Sequence, residues 1–168
     1  IMFVAHQSRK READGLWWDI YCDPVHEASS YDYVHFEKPH LLQHLRPVKT
    51  DRLRWLDLIE YGGTIQKLLG VNTPEIPADV ERSLRVIQEE IAARFDAEVS
   101  LVQIVRSELN ERAATLPLYR RLLRKVDPAC LVLVCSYGKE TLIEAAHELS
   151  IPVVELQHGV IHPHHLGY

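Results

Sequence analysis

The segment Gln157-His158-Gly159-Val160-Ile161-His162-Pro163-His164-His165 carries four of the chain's ten histidines. An imidazole titrates near neutrality, so a histidine beside a hydroxyl can take its proton. Grouped neutral imidazoles can also hold zinc. His158, His162, His164 and His165 therefore suggest two chemistries, acid–base transfer or metal binding. Against metal, the segment has no Asp, Glu or Cys, Pro163 stiffens its middle, and zinc sites usually draw ligands from separate elements.

What precedes the segment decides between them. Pro152 to Leu156 is a short apolar run that reads as a buried strand. Upstream, Leu131 to Cys135 reads as another strand, Ser136-Tyr137-Gly138 as a tight turn, and Lys139 to Leu149 as an amphipathic helix. This is a βαβ unit, whose two strands are parallel and end on one edge of a sheet. Ser136, Tyr137 and Gly138 are thereby expected beside Gln157, His158 and Gly159. The helix N–H groups at that edge favour an anion. Gly159 lets the backbone turn sharply or approach a ligand. Singly, Ser136 is an ordinary cap and the glycines ordinary turns; together on one edge they point to a site centred on His158.

A second candidate lies near the start. If Ile1 to Ala5 is a strand, His6 sits at its end, followed by Arg9-Lys10-Arg11, a triplet able to hold a phosphate or an acidic sugar. The competing reading is a solvated hairpin tip between Ile1–Ala5 and Leu16–Cys22. Tyr31 to Phe36 reads as a third strand. Helix dominates afterwards. Asp51 caps a segment with Leu53, Leu56 and Ile59 that Gly62-Gly63 bends or breaks. Asp79 caps a long helix with Val80, Leu84, Ile87, Ile91 and Phe95 on one face. A helical period continues through Val99 to Leu109, and Pro117 fits the first turn of a further helix.

At Pro152-Val153-Val154-Glu155-Leu156-Gln157-His158-Gly159-Val160-Ile161 the sequence resembles the N-terminal half of GT-B-fold glycosyltransferases that build surface and capsular polysaccharides. More loosely, it is similar to the CDP-glycerol glycerophosphotransferase group. The likeness covers roughly the last forty residues. Gln157 stands where that group usually carries Trp, and no lysine follows closely. The helix-rich stretch from Asp51 to Asp127 has no counterpart in the resemblance. It implies that His158 is the catalytic base toward an acceptor hydroxyl and that a C-terminal domain binds the activated donor nucleotide; the residues' own placement adds Gln157, Gly159, Ser136, Tyr137, Gly138 and His162, with His6 and Arg9 from the second candidate, as the expected substrate contacts. It also implies a nucleotide-sugar donor, a carbohydrate or lipid-linked acceptor, no cofactor and no metal, because helix dipoles and basic groups can stabilise a leaving diphosphate.

The fold expected for residues 1–168 is thus one α/β domain of Rossmann-like type, with a mostly parallel sheet, helices on both faces and a helix-rich middle insertion. It would be the acceptor-side part of a longer two-domain protein. A metal-dependent hydrolase using His158, His162 and His164, or a non-catalytic carbohydrate- or nucleotide-binding module, are the alternatives. The net charge of -5 argues against a broad nucleic-acid surface. Cys22, Cys130 and Cys135 lack metal or redox spacing and read as core residues, as in a cytoplasmic protein. Apolar runs are far shorter than the ~18–20 residues of a membrane span, which leaves peripheral association at a membrane's inner face compatible with the sequence. P-loop, G-x-G-x-x-G, G-x-S-x-G and H-E-x-x-H motifs are all absent.

Overall fold

A computed structural model describes residues 1–5, 9–39, 43–69 and 74–156. Strand β1 (Met2–Val4) is followed by a hairpin of β2 (Arg9–Arg11) and β3 (Trp17–Asp19), helix α1 (Cys22–Ala28), and strands β4 (Val34–Glu37) and β5 (Leu53–Trp55). Three helices come next, α2 (Asp57–Leu68), α3 (Ala78–Phe95) and α4 (Leu101–Val126). The chain returns to the sheet through β6 (Leu131–Leu133), α5 (Glu140–Glu148) and β7 (Val153–Glu155).

The sheet is all parallel, in the order β5-β4-β1-β6-β7. Met2 pairs with Val34 on one side and Leu131 on the other. Central parallel strands are covered on both faces and so read as unbroken apolar runs; Met2, Phe3 and Val4 are all buried. Alternation divides them between two cores. Met2, Val4, Phe36, Leu131 and Leu133 meet Ile59 of α2, Leu116, Tyr119 and Leu123 of α4, and Leu142, Ala145 and Ala146 of α5. Phe3, Ala5, Val132 and Val134 share the opposite face with Cys22 of α1. This is a doubly wound, Rossmann-like α/β domain with helices on both faces. Strands after β1 first build outward to β5, then the chain crosses back and builds the other way from β6, the reversal that defines a topological switch point.

Several local expectations change. Ile1–Ala5 does not pair with Leu16–Cys22: β1 lies in the middle of the sheet, and the hairpin forms between β2 and β3 inside the segment expected as its tip. An apolar strand gains more between two neighbours in the core than at the base of a two-stranded ribbon. Leu53 lies in a strand, and the following helix starts at Asp57 rather than at Asp51. The Gly62-Gly63 pair does not break α2. A Cβ on Gly63 would lie 2.7 Å from Thr115 Cγ2, so the glycine permits a close crossing of α2 over α4. Pro117 falls inside α4, not at a helix start. An interior proline costs about 3 kcal/mol, and burial of Leu116, Tyr119 and Leu123 around it, at about 1.5–3 kcal/mol per large side chain, offsets that cost. Asp79 sits in the first turn of α3, whose cap is Pro77, and none of the apolar face of α3 is buried; Val80, Ile87 and Phe95 are exposed.

Candidate functional site

In an open parallel sheet the crevice for ligands lies beyond the carboxyl ends of the strands at the switch point, here between β1 and β6. The turn after β6 stands at that place. Lys139 N–H donates to the Ser136 carbonyl at 3.0 Å, closing it, and Gly138 takes φ +66°, which an L side chain rarely adopts. Among the described residues no heavy atom lies within 4 Å of where a Gly138 Cβ would be, so there the glycine serves the turn. Tyr137 is exposed and Ser136 half-buried. Ser136, Tyr137 and Gly138 are thus brought together on the edge.

The edge N–H groups already hold oxyanions. Ser136 N–H donates to Glu155 Oε1 at 3.2 Å, and Gly138 N–H donates to Glu140 Oε1 at 3.1 Å. Two carboxylates of the chain itself therefore occupy donors that favour negative charge, as expected at a helix N-terminus. Lys139 is only 7 % exposed and its Nζ donates to the Cys135 carbonyl at 2.5 Å. Burial holds its ammonium below the ordinary lysine range, reinforced by nearby Lys38 and opposed by Glu155 and Glu140.

Arg9 is placed elsewhere. Its Nε donates to both oxygens of Glu37 at 2.8 Å, and its Nη1 to Thr50 Oγ1 at 3.1 Å and to the Trp17 carbonyl at 3.3 Å. Its side chain is fully buried, so its charge is spent beneath the hairpin and not offered to a ligand at the edge. Around it Thr50 donates to Asp23 Oδ1 at 2.6 Å, and Asp19 Oδ1 accepts from the N–H groups of Tyr21 and Cys22. Burial opposes ionisation of Asp23, but hydrogen bonds from His26, Thr50 and the Asp19 N–H outweigh it and hold the carboxyl below its usual range. Burial pushes the Asp19 carboxyl up. His35 lies against His26, their ring centroids 5.1 Å apart edge to face, with neither ring nitrogen hydrogen-bonded to any described residue. Its burial pushes the imidazole pKa down to about 3. Gln157, His158, Gly159, His162 and His6 lie outside the described residues.

A cleft of about 390 Å³ opens beside the turn, between α4 and the start of α5. Ile104, Leu109, Tyr119 and Leu142 line it with apolar surface, while Lys38, Gly138 and Lys139 stand on its sheet side. Arg112 Nε bridges α4 to α5 by donating to Glu144 at 2.7 Å. The sequence reading passed over Lys139, Glu140 and Glu155, whose types are ordinary at a helix start and a strand end. It also passed over Glu37 and Thr50, whose meeting with Arg9 spans 28 and 41 residues of chain and leaves no local signal.

Among the described residues no three or more His, Cys, Asp or Glu side chains gather as metal ligands would, and no helix is long and apolar enough to cross a membrane. The fold and the edge define the class, a Rossmann-like α/β domain with its topological switch point between β1 and β6. Comparison with family models, curated proteins and solved structures finds no match to the chain.

Proposed function

We propose that the chain is the N-terminal, acceptor-side domain of a GT-B glycosyltransferase, which transfers a sugar or related group from a nucleotide-activated donor to a surface-polysaccharide or lipid-linked acceptor. The observation that carries this reading is the β6–turn–α5–β7 unit. It sets Ser136-Tyr137-Gly138 at the switch-point edge, and β7 runs directly into Gln157-His158-Gly159 in sequence. In this reading His158 accepts the proton of the acceptor hydroxyl as its oxygen attacks the anomeric carbon. The bond to the donor diphosphate breaks, and the diphosphate leaves with the electron pair.

The Ser136 and Gly138 N–H groups, now held by Glu155 and Glu140, are the donors suited to a sugar hydroxyl or a phosphate oxygen once those carboxylates swing aside. Gln157, Gly159 and His162 would border the acceptor, and a C-terminal domain would hold the donor nucleotide. Arg9 has no part in this, because its charge is enclosed with Glu37. The test is acceptor-dependent release of nucleoside diphosphate from nucleotide-activated sugars by the full-length protein, since this domain without the donor domain is expected to be inactive. His158→Ala is expected to abolish release while leaving the circular-dichroism spectrum unchanged; a variant that retains activity removes His158 from the chemistry.

A further inference from the structure

We propose that Lys139 is a reactive amine on the wall of the α4–α5 cleft, placed to condense with a small aldehyde or ketone of apolar body. Three observations on geometry support it, and none depends on glycosyl transfer. First, Lys139 is among the residues that line the cleft and is only 7 % exposed, so little of it meets bulk solvent. Second, the hydrogen bond to the Cys135 carbonyl is the only one the described residues give its Nζ, and it fixes the amine at the end of β6. Third, a second cation, Lys38, lines the same cleft, itself held by Glu60 at 2.9 Å.

An amine that is withdrawn from water, close to another cation and at the positive end of a helix is biased toward its neutral, nucleophilic form. The lowered pKa noted above agrees with that environment. Glu140 and Glu155 act in the opposite direction, so burial and Lys38 must prevail over them. Ile104, Leu109, Tyr119 and Leu142 offer apolar surface to the carbon body of the ligand, among the Glu108, Glu111, Glu140 and Glu144 carboxylates and the Arg112 guanidinium that also line the cleft. In the step, the Nζ lone pair attacks the carbonyl carbon to give a carbinolamine. Loss of water then leaves an imine, so one amine and one carbonyl give one imine and one water.

The test needs no knowledge of the natural ligand. The protein is treated at pH 7 with propanal and cyanoborohydride, which traps each imine as a propylamine, and the labelled lysines are followed by peptide mass spectrometry. Lys139 is expected to be alkylated about tenfold or more faster than the exposed Lys10 and Lys125, as an activated amine requires. Lys38→Met is expected to slow labelling of Lys139 and leave that of Lys125 unchanged. Labelling of Lys139 no faster than that of Lys125, or at a rate indifferent to Lys38→Met, overturns the proposal.

Discussion

His35 should make the fold sensitive to mild acid, and the size of the effect follows from its surroundings. The imidazole is fully buried on the face of β4 covered by α1, with both nitrogens unpartnered among the described residues. In the fold it stays neutral down to about 3, whereas in the unfolded chain it protonates below its ordinary value of 6.5. A depressed folded pKa means that stability is present above 6.5 and is lost as pH falls through the window down to about 3. At about 1.4 kcal/mol per pH unit, lowering the pH to roughly 4.5 should cost between about 2 and 3 kcal/mol from this residue alone. Asp19, whose carboxyl is raised by burial, works in the opposite direction over part of the window. The comparison must therefore be a difference between wild type and His35→Phe. That variant keeps a ring and removes two unsatisfied nitrogens. At pH 7 it should be as stable as wild type, or more so by about 1 kcal/mol. Urea unfolding at several pH values between 7 and 4.5 measures both quantities. A variant that loses stability with the same slope as wild type would refute the reasoning, because the titrating group would then be another one.

Two further substitutions test the packing and the buried cluster. Gly63→Ala should destabilise by about 1–3 kcal/mol, since overpacking against Thr115 outweighs the gain of about 1 kcal/mol in helix propensity; a raised thermal midpoint would show that α2 and α4 can separate freely. Arg9→Met should cost about 3–5 kcal/mol by leaving the Glu37 carboxylate buried and unpaired, with most of the loss recovered in Arg9→Met/Glu37→Met. A loss under about 1 kcal/mol in the single variant would mean that Glu37 sheds its charge without help.

The parts of this fold that were legible in the sequence are those whose signals are local. Leu131 to Leu156 alternates an apolar run, a turn, an amphipathic stretch and a second apolar run within 26 residues, and the structure has β6, α5 and β7 there. The place of β1 was legible only in part: the unbroken apolar run Ile1–Ala5 suits a strand covered on both faces, but nothing within it names β4 and β6 as its partners. Gly62-Gly63 and Pro117 misled for one reason: local propensity disfavours helix at each, and the contact between α2 and α4 overrides it. At the edge, Ser136, Tyr137 and Gly138 were recognisable from turn chemistry. That Glu140 and Glu155 would occupy the backbone donors, and that Arg9 would turn inward onto Glu37, depends on side-chain geometry across strands.

Transfer itself is the direct test of the proposed function. The full-length protein, with the C-terminal donor domain that the proposal requires, is incubated with nucleotide-activated sugars carrying a labelled glycosyl group, in the presence of polysaccharide and lipid-linked acceptors, and the label is followed into the acceptor. The proposal predicts acceptor-bound label with equimolar nucleoside diphosphate, both lost in His158→Ala. Label that never leaves the donor with any acceptor, or that is transferred equally well by His158→Ala, would contradict it.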